Sequence, residues 1–450
     1  MIARLFATLA LIPLLAGCGS MVQTGRAAAV PAALDLPPMK QFSGQTPAPV
    51  ALSNTQVARD FLDLFFALEN GVTLDRFTRF EGPVTVKVAA AADHPTLSGE
   101  LDTLLRRLRR EAGVDITRVA PQAPANIVIE VVPATALARR APNTACIVAP
   151  NVSSWSAYTA ARRGALSWTQ VTRRERLAIF LPTGVSPQEV RDCLHEELAQ
   201  ALGPLNDLYR LTASVYNDDN LQSVLTPFDM LVLRAAYAPE LRSGMSRSEV
   251  AARLPAILDR LNPAGQGMGA APQSPTPRGW IDDVELAMSA APVAARRAAA
   301  ARAVARAETE AWGDNRTGFA YFLAGRLMLG QSPLQARGLL ERAYALYARD
   351  PATAIHAAHV AMQLSALALS QQDYTRAQDL AARAIPAAEA AQNATLLASL
   401  QLTQAEALAA LGRLGEARAV RLDSLGWARY GFGSDRAVRA RVAEIAALAR

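Results

Sequence analysis

Sulfur and imidazole are scarce in this chain. Its 450 residues include three cysteines and four histidines, without the clustering and regular spacing that a Cys/His zinc module needs. Aromatic residues make up only 6%, and none interleaves with the basic run Arg106-Arg107-Leu108-Arg109-Arg110. Without aromatic platforms for bases, that run reads as the solvated face of an amphipathic helix, and no nucleic-acid partner is expected. Apolar residues, by contrast, form 51% of the chain. At this length they supply cores for two or three domains.

The first twenty residues are MIARLFATLALIPLLAGCGS. Arg4 precedes an apolar run from Leu5 to Leu15, and small residues lead to Cys18. This is the order of a secretory signal, too short to cross a bilayer as a stable helix. Leu15-Ala16-Gly17-Cys18 resembles the bacterial lipobox. The resemblance implies a signal peptide over residues 1–17 and acylation of Cys18, and several acyl chains on one residue anchor far better than one. Gly19 resembles the position that sends lipoproteins onward, so the expected location is the periplasmic side of the cell envelope, lipid-anchored, at the outer membrane. Losing Arg4 with the signal takes the formal charge of +6 to about +5 by the same counting. Cys146 and Cys193 then remain as an even pair in an oxidising compartment, which predicts a disulfide between them.

Residues 18–50 are rich in Ala, Pro, Gly and Ser and read as a disordered tether. A first domain is expected over 51–261. Val57 to Leu68 has an apolar helical face, and Leu97 to Glu111 is a helix closed by Gly113. Strands are expected at 84–88, 127–132 and 177–181, and a further helix opens at Ser186-Pro187-Gln188-Glu189 and stops at Gly203. Strands and helices mix without a strict alternation, so the fold class is α/β or α+β. Residues 262–279 form a linker with no periodic apolar signal.

Residues 280–450 are expected to be all-α. Ala336, Ala377 and Ala417 mark similar segments 41 and 40 residues apart, and Ala343, Ala384 and Ser424 follow each by seven. Small residues at this spacing in a second helix resemble the tetratricopeptide repeat, although the period exceeds that family's ~34 residues. The resemblance implies stacked helix pairs and a concave surface for an envelope protein or peptide. Tyr344, Tyr347, His356 and His359 are candidates for that surface, with plain packing as the alternative.

One segment could carry chemistry: Cys193-Leu194-His195-Glu196-Glu197-Leu198-Ala199-Gln200, running on to Gly203, Asn206 and Asp207. Read as H-E-x-x-H from His195, the second ligand position is Ala199, which has no donor. Shifted by one, Glu196, Glu197, Gln200, Gly203 and Asn206 take the spacing of the metzincin motif H-E-x-x-H-x-x-G-x-x-H. In that register Gly203 would allow a left-handed turn, Asn206 would return toward the face of Glu196 and Gln200, and Tyr216 would replace the methionine of the family's turn. Residues 53–245 also resemble an uncharacterised family of exported bacterial proteins, on Glu69-Asn70-Gly71, Arg79-Phe80-Glu81-Gly82-Pro83, Cys193, His195-Glu196-Glu197, Gln200, Leu202-Gly203, Asn206-Asp207 and Gly244-Met245. That resemblance brings no activity with it.

Zinc prefers imidazole and thiolate, whereas these positions offer one carboxylate and two neutral amides. No cofactor is therefore favoured; a divalent metal, if bound, would use Glu196, Gln200, Asn206 and His195. The favoured reading is a non-catalytic zincin-like domain in a membrane-anchored scaffold that binds protein or peptide. The rival is an atypical metal-dependent peptidase or amidase with Glu197 as general base. A third possibility is a buried network of Gln200, Asn206 and Asp207 that only fixes the helix end.

Overall fold

The computed structural model describes residues 35–44, 47–89, 94–142, 144–270 and 274–449. The expected signal peptide, Cys18 and the start of the expected tether lie outside the described residues. The chain divides into two compact units. The first holds Gly44–Val185 and Glu189–Ser274; the second holds Pro275–Arg450, Ser186–Gln188 and the arm that ends at Ser43.

The first unit is a small mixed α/β domain. In chain order it contains α1 (Asn54–Phe65), β1 (Val84–Val88), α2 (Leu97–Glu111), β2 (Ile116–Arg118), β3 (Ile127–Val132) and α3 (Ala134–Arg140). There follow β4 (Ile147–Pro150), α4 (Trp155–Ala160), β5 (Leu177–Pro182), α5 (Pro187–Leu202), α6 (Pro227–Ala236) and α7 (Arg247–Leu261). The sheet order is β2-β1-β3-β5-β4. Pairings β1–β2, β1–β3 and β3–β5 are parallel, and β4 alone runs antiparallel, with Ile147 opposite Phe180 and Pro150 opposite Leu177. Every residue of β5 is buried, as expected for an inner strand covered on both faces.

Local chemistry explains the element ends. α2 stops where Gly113 takes φ +66°, a left-handed position that glycine fills without Cβ strain. α1 ends three residues before the expected Leu68, because Glu69-Asn70-Gly71 makes a turn instead. Asn70 Oδ1 accepts from Val72 N at 3.1 Å, Leu68 N donates to Val72 O at 2.8 Å, and Gly71 has φ +80°. Behind α1 the rings of Phe61 and Phe65 stack at 4.2 Å, and Phe77 lies 5.1 Å from Phe65.

The second unit is all-α and repetitive. It contains α8 (Arg278–Met288), α9 (Val293–Thr309), α10 (Asn315–Met328), α11 (Pro333–Tyr347), α12 (Ala354–Ser370), α13 (Tyr374–Ala390), α14 (Ala394–Ala410), α15 (Leu414–Phe432) and α16 (Asp435–Leu448). Consecutive helices pack together, and their short connections make them antiparallel neighbours. Ala336, Ala377 and Ala417 are each the fourth residue of α11, α13 and α15 and are buried. Ala343, Ala384 and Ser424 are buried as well, so the small residues sit where helices approach closely. The turns repeat too: Gln372, Gln392 and Gly412 all have positive φ, and the two that follow the glutamines, Asp373 and Asn393, cap the next helix.

The four aromatic and histidine candidates pack inside this unit. Tyr347 is buried, its ring fills the space left by Gly318, and its hydroxyl donates to Asn315 O at 3.2 Å. His356 lies 5.0 Å from that ring, and His359 is buried. Burial, then the charges of His356 and Arg326, push His359 down to about 3. Tyr344 packs half-buried against the core of α12 to α14.

Candidate functional site

α5 carries polar groups inward to an unusual degree. Arg191, Asp192, His195, Glu196, Glu197 and Gln200 are all buried, although such residues ordinarily face water. Glu197 and Gln200, three apart and so on one side of the helix, line a pocket together with Leu205. Leu68, Glu69 and Asn70 of the turn after α1 line it as well, as do Cys146 to Ala149 at the edge strand β4. Arg140, Thr144, Tyr158 and Trp168 complete most of its lining. Cys146 is disulfide-bonded to Cys193, with Cα atoms 6.0 Å apart. The bond ties the residue before β4 to the helix that presents Glu197, and so fixes two sides of the pocket to each other.

Three lining residues hold buried polar atoms with no hydrogen-bond partner among the described residues: Thr144 Oγ1, Tyr158 Oη and Arg140 Nε. Tyr158 is fully buried, and the Arg140 guanidinium lies 5.2 Å from its ring centre. Burial raises the Tyr158 hydroxyl above its ordinary value, with Arg140 opposing, so it is a neutral donor at physiological pH. Each orphaned buried group costs about 1–3 kcal/mol, and native proteins leave few of them.

The end of α5 is held by a residue that the sequence did not mark. Arg174 is buried and donates to the carbonyls of Gln200 and Gly203, and its Nε donates to Thr78 Oγ1 at 3.3 Å. It satisfies carbonyls left over at a helix end and sets a cation at the negative pole of the helix. Burial pulls its pKa down to about 10, which still leaves it charged near neutrality. Arg173-Arg174-Glu175-Arg176 reads as a surface run in the sequence, so no local signal could single it out.

The motif positions have separate surroundings. His195 Nδ1 accepts from Leu225 N at 3.1 Å, and burial, followed by the charges of Arg107 and Arg191, holds it well below its ordinary value. It is a neutral structural acceptor. Asn206 donates from its side chain to Asp63 O at 2.9 Å, and its backbone N–H donates to Leu64 O at 3.3 Å. It latches the chain to the end of α1 and does not line the pocket. Glu196 and Asp207 are buried.

Gly203 does not make the expected left-handed turn, for it is not among the positive-φ glycines. Its requirement is steric: a Cβ there would stand 2.7 Å from Phe65 Cζ, so the α1 aromatic ring packs directly on its backbone. The turn expected at Tyr216 is pinned by Asp229. That buried carboxylate accepts from Ser214 Oγ at 2.5 Å, Val215 N at 3.2 Å, Thr226 N at 2.8 Å and Thr226 Oγ1 at 3.0 Å. Tyr216 is fully buried. Burial, opposed by those hydrogen bonds, pushes Asp229 up to about 6.

These donors do not fit a zinc centre. With His195 held by Leu225 and Asn206 by Asp63, the set reduces to carboxylates and the Gln200 amide. Among the described residues no group of three or more His, Cys, Asp or Glu could hold a metal ion.

Fold and site define a two-part protein: a mixed α/β domain with a pocket at its antiparallel edge, and an all-α unit of helical repeats. Residues 54–256, a little under half the chain, match the family model described as "Protein of unknown function (DUF2927)", so the first unit carries a domain of that kind. No curated protein matches the chain.

Proposed function

We propose that this chain is a lipid-anchored scaffold of the cell envelope whose first unit is a non-catalytic, zincin-like binding domain and whose second unit is a tetratricopeptide-like interaction domain. The observation that carries the reading is the pocket beside an edge strand, lined by three residues that each keep a buried polar atom without a hydrogen-bond partner among the described residues. A ligand that offers hydrogen bonds to Tyr158, Thr144 and Arg140 recovers the cost of leaving them bare. An extended peptide suits that place, because an edge strand offers unpaired backbone groups and the pocket takes one side chain.

The zincin-like part rests on the sheet order, the single antiparallel edge strand, and the run Glu196-Glu197-x-x-Gln200-x-x-Gly203-x-x-Asn206 at the end of α5, whose Glu197 and Gln200 line the same pocket as that strand. The tetratricopeptide-like part rests on the equivalence of Ala336, Ala377 and Ala417. The anchor rests on Leu15-Ala16-Gly17-Cys18, and Cys18→Ala should free the protein from the membrane fraction. The hydrolase reading is favoured by one observation, that Glu197 lines the pocket. In that case Glu197→Gln would abolish an activity that chelators also abolish.

Panning of a displayed random-peptide library on the purified protein tests the pocket. Selected peptides should lose binding to Thr144→Trp, which fills the lining, and retain it on a distant surface variant such as Leu334→Ser. Peptides that bind the two variants equally would sink the pocket as the binding site.

A further inference from the structure

The arm that precedes the first unit does not run free. Residues 36–42, which form no helix or strand, lie on α15 within the second unit. Lys40 N donates to Gly426 O at 3.1 Å, and Arg429 Nη1 donates to Pro37 O at 2.9 Å. The Lys40 ammonium pairs with Asp423 and stands 5.3 Å from the centre of the Trp427 ring. Phe42 stacks on Trp427 at 4.3 Å and meets Tyr430 edge-on at 6.1 Å. Leu36 packs on the cluster of Ala398, Leu425, Ala428 and Val438.

The face that receives the arm is specific to this repeat. Asp423, Gly426, Trp427 and Tyr430 share one side of α15 by their spacing. Counting from the equivalent alanines, α13 carries Arg383, Pro386, Ala387 and Ala390 at those positions, and α11 carries Arg342, Ala345 and Leu346, with Arg349 already past its end. Neither could give the ion pair or the aromatic platform. Gly426 is needed for the approach, since a Cβ there would stand 2.8 Å from Lys40 Cγ. The arm is matched in turn: Pro37-Pro38 favours extended backbone and lowers the entropy lost on docking.

We propose that this face of α15 is a peptide-recognition site, that the chain's own residues 36–42 are its resident ligand, and that a partner with an extended segment of the same chemistry competes for it. That chemistry is a proline pair, then a lysine, then an aromatic two residues further on. The tethered arm acts at a high effective concentration, so a free partner gains access chiefly when the arm is weakened or drawn away.

The test uses the full chain and a fluorescent synthetic peptide of residues 35–43, followed by anisotropy. The Lys40→Ala/Phe42→Ala chain, whose arm loses both its ion pair and its stacking, should bind the peptide saturably. The wild-type chain, whose site is filled, should bind at least about tenfold more weakly. Adding Trp427→Ala to the released chain should abolish binding. Should that variant fail to show native helicity by circular dichroism, Asp423→Lys replaces it: the native peptide should then fail, and the peptide with Asp in place of Lys40 should bind. No saturable binding to the released chain, equal binding by wild type, or indifference to Trp427 and Asp423 would each overturn the proposal.

Discussion

Removing the disulfide by Cys146→Ala/Cys193→Ala is the perturbation whose size the structure defines best. The bond spans a sequence separation of 47, and closing such a loop lowers the entropy of the unfolded chain enough to stabilise the fold by about 4 kcal/mol at 25 °C. Both residues are nearly fully buried, so alanine leaves only small voids and the loss comes mainly from the unfolded state. For a domain of roughly 150–250 residues, each kcal/mol is worth about 2–4 °C in Tm, which gives a drop of about 8–16 °C. Differential scanning calorimetry of the oxidised wild type and the double variant reads this directly, in the transition of the first unit. A fully reduced wild type should melt with the variant. A shift under about 2 °C would refute the reasoning, as would two free thiols titrated in denatured, unreduced wild type.

Three further outcomes follow from single contacts. Gly203→Ala drives a Cβ into the Phe65 ring and should lower stability by about 1–3 kcal/mol in urea unfolding; an unchanged midpoint would remove the steric account of this glycine. Ala377→Leu should cost a similar ~1–3 kcal/mol by overpacking the contact that α13 makes through its fourth residue, whereas Leu334→Ser, at an exposed site of α11, should cost little. Asp229, raised by burial from its ordinary 3.8 to about 6, should titrate with a carboxyl-carbon NMR midpoint near that value. Because its folded pKa lies above its unfolded one, its contribution to stability is full below about pH 4 and is lost as pH rises through about 6; a midpoint below 4 would contradict this.

Much of the architecture was legible because its signals are local and periodic. β3 and β5 read as short apolar runs, α2 came with its closing Gly113, and the alanine spacing placed α11, α13 and α15 in equivalent positions. β2 and β4 were missed since they are short and pair only at sheet edges; Ile147-Val148-Ala149-Pro150 offers neither alternation nor a long apolar run. The pocket was half legible. Glu197 and Gln200 stood out by motif spacing, but Tyr158, Thr144 and Arg140 reach it through tertiary folding, and nothing beside them in the chain predicts that. Gly203 was singled out for the wrong reason, because a close ring on a glycine cannot be told from a left-handed turn in sequence. Arg174 was invisible among its charged neighbours.

Elemental analysis of protein purified without chelator decides whether the proposed α5 site works without metal chemistry. No stoichiometric transition metal should be found, in wild type or in Gln200→Ala and Glu196→Ala. One equivalent of a transition metal per chain, lost when Glu196 or Gln200 is replaced, would contradict the proposal and make the hydrolase the better reading.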